Sequence, residues 1–189
     1  MKIVFTWWSY SWKFDLLNKL KCKWYNIKSE VVSTNIDLLI YLLWMEWYKN
    51  WRKENFLRFQ EMNIFKNLER DIYLSETKTH FLDRWVFDFF ASLKRENIEV
   101  TPELEKLSEK IYYDKIIFLE EIPFLDKLQE WRLLDKKQSK LWWKLIKQEY
   151  IDRFWEENII EVPFFWEKDL DSENNLRIEF IEHELENII

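Results

Sequence analysis

Residues 7–14 read Trp7-Trp8-Ser9-Tyr10-Ser11-Trp12-Lys13-Phe14, between an apolar run and a segment of helical spacing carrying Leu16, Leu17 and Leu20. A strand, a short loop and a lysine opening a helix is the layout of the phosphate-binding pattern G-x-x-x-x-G-K-[ST]. Its chemistry needs backbone N–H groups converging on phosphate oxygens with no side chain in the way, and a lysine that reaches the terminal phosphates. Lys13 stands at the lysine position, but Trp7 and Trp12 stand at the two glycine positions. Phe14 stands where a Ser or Thr hydroxyl would hold Mg²⁺. The plainer reading is an aromatic turn with a surface lysine. A second constellation is His80-Phe81-Leu82-Asp83-Arg84-Trp85-Val86-Phe87-Asp88, with an acid and an arginine where a strand gives way to a helix. With glycine at 85 it would read D-R-G-x-x-D. Its plainer reading is an Asp that caps the next helix beside a solvent-facing arginine.

These residues need elements to position them. Strands are expected at Lys2 to Thr6, Tyr25 to Ser29, Thr79 to Asp83, Lys115 to Leu119 and Ile159 to Val162. Helical spacing covers Lys13 to Lys21, Thr34 to Leu43, Glu54 to Tyr73, Val86 to Leu93, Lys136 to Glu157 and Ser172 to Leu185. Thr101 followed by Pro102 is the signature of a helix start. Strands alternating with helices predict an α/β fold, a mainly parallel sheet with helices on both faces. In such a sheet ligands bind outside the carboxyl ends of the strands, where Lys13 and Asp83 are both expected.

The chain of 189 residues suits a single domain, 1–189. No apolar run is long enough to span a membrane, and the segment Met1 to Thr6 is too short for a secretion signal. Cys22 is the lone cysteine and His80 and His183 the two histidines, so neither an internal disulfide nor a Cys/His zinc site is expected. These features point to the cytoplasm. A net charge of −6 argues against broad nucleic-acid binding. The composition has one abnormality. There is no glycine, where roughly 7% is usual, and there are 13 tryptophans.

In the order of its motifs the chain resembles AAA-type P-loop domains related to the kinase half of the bifunctional NAD regulator NadR. The resemblance rests on the 7–13 loop, Trp24-Tyr25 followed by Glu30, Phe56 with Gln60, and Asp83-Arg84-Trp85 with Asp88 and Ala91. It continues through Tyr113-Asp114-Lys115, Arg132 and Glu161-Val162-Pro163. It implies a three-layer P-loop NTPase fold that binds a purine nucleoside triphosphate, ATP, and transfers or hydrolyses its terminal phosphoryl group. In that scheme the loop Trp7, Trp8, Ser9, Tyr10, Ser11, Trp12 and Lys13 holds the phosphates. Asp83 orients the acceptor or holds Mg²⁺ through water, and Glu30 is the base on an acceptor hydroxyl. Arg84 and Arg132 stabilise charge on the transferred group. The expected partners are the nucleotide and a small-molecule phosphoryl acceptor. Phe14 weakens the expectation of Mg²⁺. The competing class is a non-catalytic protein that keeps the fold.

At 7, 12, 24 and 85 tryptophan stands where the family has glycine. Some bacterial genetic codes read the codon UGA as glycine and others as tryptophan. A gene of the first kind read with the second table gains a tryptophan at each such glycine. The richness in Lys, Ile, Asn and Phe fits an AT-rich genome of that kind.

Overall fold

The computed structural model describes residues 1–7, 13–22, 27–28, 45–74, 79–83, 85–120 and 136–186. They form strands β1 (Lys2–Trp7), β2 (Ile27–Lys28), β3 (His80–Asp83), β4 (Lys115–Leu119) and β5 (Ile159–Val162). The helices are α1 (Lys13–Cys22), α2 (Met45–Glu54), α3 (Phe56–Ile72), α4 (Val86–Arg95), α5 (Pro102–Ser108), α6 (Lys136–Phe154) and α7 (Leu170–Glu186). A 3₁₀ turn at Glu156–Asn158 precedes β5. The five strands form one sheet in the order β2-β3-β1-β4-β5, with every pairing parallel.

Period-2 alternation sorts the strand side chains into two cores. Val4, Leu82, Ile116 and Phe118 face a cluster built with α3, α4, α5 and α6, around Phe59, Phe87, Phe90, Leu104, Ile146 and Tyr150. Ile3, Phe5, Phe81, Ile117 and Leu119 face the other way, onto Leu16, Leu17 and Leu20 of α1 and Ile178, Ile181 and Leu185 of α7. Each central strand is therefore apolar on both faces, as a buried parallel sheet requires. The result is a three-layer α/β sandwich.

Several boundaries differ from the sequence expectation. Trp7, taken as the first loop residue, is the last paired residue of β1, opposite Leu119. The helix expected from Glu54 to Tyr73 is α3, which starts two residues later at Phe56, and a separate helix that was not expected, α2, precedes it. They meet at Asn55, whose φ of −114° and ψ of 35° leave the helical region and whose Nδ2 donates to Trp51 O at 2.9 Å. Phe65 of α3 is exposed. The helix expected from Lys136 to Glu157 stops at Phe154. Thr101 does cap α5, accepting from Leu104 N at 3.4 Å. Among the described residues no helix is long and apolar enough to cross a membrane. The helix expected at Thr34 to Leu43 lies outside the described residues, as do the outer residues of the second strand.

Candidate functional site at the carboxyl edge of the sheet

The chain leaves β1 into α1 on one face, and leaves β3 into α4 on the other. Right-handed crossovers running in opposite directions from the sheet centre require this arrangement. Where neighbouring strands send their helices to opposite faces, a crevice opens at their carboxyl ends. β1 and β3 are such neighbours, and Phe5 pairs with Asp83. The end of β1 at Trp7, the start of α1 at Lys13 and the end of β3 at Asp83 therefore share one edge of the sheet. Residues 8–12, with Trp8, Ser9, Tyr10, Ser11 and Trp12, lie outside the described residues, as do Glu30, Arg84 and Arg132.

Beneath this crevice lies a buried carboxylate. Asp88, in the first turn of α4, is fully buried. Its Oδ1 accepts from Thr6 Oγ1 at 2.6 Å. Its Oδ2 accepts from Tyr150 Oη at 2.7 Å and from Trp85 N at 3.1 Å. Thr6 is the residue before the end of β1, Trp85 closes the β3–α4 connection, and Tyr150 belongs to α6. One carboxylate thus ties together both sides of the crevice and the helix beneath it. Hydrogen bonds to an ionised acceptor are stronger than neutral ones, and three of them offset the desolvation of a buried charge. Burial, reinforced by the charge of Asp88, pushes the Tyr150 phenol well above its ordinary value, so it remains a donor. Burial does the same to Tyr113, with Asp71 and Asp88 adding to it.

The helix start at this corner is Trp85, not Asp83: it precedes α4, and its N–H is taken by the Asp88 carboxylate three residues on. The sequence singled out Asp88 as a motif residue but gave it no role, and it passed over Thr6 and Tyr150. The signal for Asp88 was an acid three residues into a helix, at the capping-box position. Nothing local to Thr6 or Tyr150 reveals partners 82 and 62 positions away.

Trp85 is fully buried, and its Nε1 has no hydrogen-bond partner. Its backbone is extended, with φ −146° and ψ −163°, a conformation open to any residue.

α3 contributes a further buried polar group. Asp71 near its end pairs with Lys2 at the start of β1, 2.8 Å apart, so the opposite end of α3 points toward the crevice edge. Gln60 lies in that half, is 3% exposed, and its Oε1 has no hydrogen-bond partner. On the other face, Asn174 of α7 is buried with neither side-chain atom paired, and lines a cleft with Asn18 and Lys19 of α1. Among the described residues no group of three or more His, Cys, Asp or Glu could hold a metal ion.

No family model matches the chain, and no curated protein matches it in sequence. Solved structures do match. The fold is similar to deoxyadenosine kinase from M. mycoides with the products dCMP and a flexible dCDP bound, at TM-score 0.63 and 15% identity, over 100% of both chains. It is similar to the NadR protein in complex with NR, at TM-score 0.63 and 11% identity, over 96% of this chain and 50% of that one. It is also similar to thymidylate kinase from Candida albicans, at TM-score 0.57 and 17% identity, over 97% and 91%. The chain therefore has the three-layer α/β fold of these structures.

Proposed function

We propose that the chain is a P-loop nucleotide-binding domain of the kinase-like kind, competent when glycine occupies positions 7, 8 and 12. The observation that carries this reading is the meeting of β1, α1 and β3 at the crevice where the sheet order reverses. An α-helix that begins there offers unpaired N–H groups and a positive dipole end to an anion. ATP is the expected nucleotide, and the order of motifs supports a likeness to the NadR-related, AAA-type domains. In the proposed site Lys13 neutralises the terminal phosphate and Asp83 orients the acceptor. Glu30 takes the acceptor's proton, and Arg84 and Arg132 stabilise charge on the transferred group. Phosphoryl transfer rests on positioning and electrostatics, which these residue types supply.

Mg²⁺ fits this loop poorly. Phe14 falls in the first turn of α1 and brings no oxygen, so the proposed Mg²⁺ contact falls to Asp83 at the end of β3. The roles above are therefore assigned to the protein's own groups. The acceptor we favour is a nucleoside or nucleotide. The deoxyadenosine and thymidylate kinases of like fold support this, as does Gln60, a buried amide with an uncommitted acceptor in the half of α3 nearest the crevice.

A chain with Trp7, Trp8 and Trp12 changed to Gly should convert ATP to ADP faster when deoxyadenosine or thymidylate is added. No acceleration by any nucleoside or nucleotide, in a folded protein that binds ATP, would rule out this acceptor class. The second reading, a non-catalytic protein on the same fold, is favoured by Phe14 and by the indoles of the loop.

A further inference from the structure

Three described residues other than glycine have positive φ: Asn97 at 56°, Trp155 at 66° and Trp166 at 66°. Asparagine tolerates this region, and Asn97 does there what glycine usually does. It follows the end of α4, its N–H reaches Lys94 O, and the next N–H, of Ile98, reaches Leu93 O, both at 3.0 Å. These two bonds define the left-handed helix stop of the Schellman type. The other two residues are bulky aromatics, poorly suited to such a backbone. Tryptophan is 13 of the 189 residues, yet it takes two of the three places.

At each place the surroundings impose the conformation. Trp155 directly follows α6, and its N–H donates to Ile151 O at 3.2 Å, the single bond of a helix ending on a left-handed residue. Its ψ of 149° takes it beyond the left-handed helical well into territory that is essentially glycine's alone. Trp166 lies in the connection from β5 to α7. The N–H groups on either side of it, of Phe165 and Glu167, both donate to the Glu173 carboxylate, at 3.1 and 3.3 Å. Glu173 is fully buried and held by Arg177 Nε at 2.8 Å. Two backbone donors one residue apart on one carboxylate fix the turn at 166. Neither indole provides compensating burial: Trp155 is 75% exposed and Trp166 is 78% exposed.

We infer that positions 155 and 166 are glycine in the protein its organism makes, each forming the turn that joins a helix to a strand. The inference comes from backbone geometry outside the phosphate loop, and so stands or falls separately from nucleotide binding.

Peptide mass spectrometry of the protein purified from its own organism reads both positions directly. Glycine at 155 and 166, with UGA as their codon, is the expected result; tryptophan encoded by UGG at either would overturn the inference for that position. A second measurement needs only the chain as written. W155G and W166G should each melt higher than the matching W155A and W166A, by roughly 3–6 °C, because alanine removes the indole but keeps the cost of positive φ. Equal melting of the Gly and Ala variants would contradict the geometry.

Discussion

Asp88 is the residue on which the crevice depends. Replacing it with alanine leaves Thr6 Oγ1, Tyr150 Oη and Trp85 N without their acceptor in a buried place. Each orphaned donor costs about 1–3 kcal/mol, so D88A should lose more than ~3 kcal/mol. Y150F removes one of the three donors and should lose about 2 kcal/mol. Urea denaturation of both variants checks the order, and a D88A protein as stable as its parent would refute the role given to this carboxylate. The tryptophans of the loop, together with Trp24 and Trp85, make a different prediction, about the gene. Trp7, Trp8, Trp12, Trp24 and Trp85 should be encoded by UGA, and sequencing the gene reads this; UGG at these positions would favour a loop that has truly filled with indoles. At this scale the sequence was informative only where local spacing carried the signal. Lys13 and Asp83 were singled out from strand-then-helix context. Asp88 was visible as a residue type at a helix start, but its partners sit on β1 and α6, and no spacing rule connects them.

Elements were legible where their interiors are regular, and less so where single residues end them. The continuous apolar runs in Lys2 to Thr6 and Lys115–Leu119 announce strands buried on both faces, and helical spacing announced α1, α4, α6 and α7. Helix α2 and the end of α6 before Trp155 were missed, the latter because a glycine at 155 would have marked the stop and none is written. The start of α7 has a pH signature. Asp169 accepts from Ser172 N and Ser172 Oγ, both at 2.9 Å, and the backbone bond from Ser172 chiefly holds its carboxyl below the usual 3.8. A carboxyl with a depressed folded-state pKa contributes stability above its unfolded value and loses it as pH falls through the folded value. D169A should therefore melt lower than the parent at pH 7, and the gap should shrink as the pH drops below 3.8. A gap independent of pH would show that the cap does not act through its charge. Further along α7, burial lowers the Arg177 pKa, while Glu173 holds its charge in place. Removing one member of a fully buried pair strands the other, so E173A should cost about 3–5 kcal/mol by chemical denaturation. A loss near zero would mean that the connection before α7 is held by something else.

The whole molecule follows from two-faced strands. A sheet apolar on both sides must be covered on both sides, and right-handed crossovers then set which helix covers which face. That logic places the ends of β1 and β3 together at the crevice proposed as the ligand site, which is why the architecture could be read from a chain without a single glycine. The proposed phosphate loop was harder to read, because bulk stands where its chemistry needs bare backbone. Calorimetric titration with ATP tests this account most directly. It compares the chain as written, the W7G/W8G/W12G chain, and that chain with K13A added. The chain as written should bind weakly or not at all, the glycine chain should bind, and K13A should remove most of that binding. Tight ATP binding by the chain as written, or none by a folded glycine chain, would contradict it.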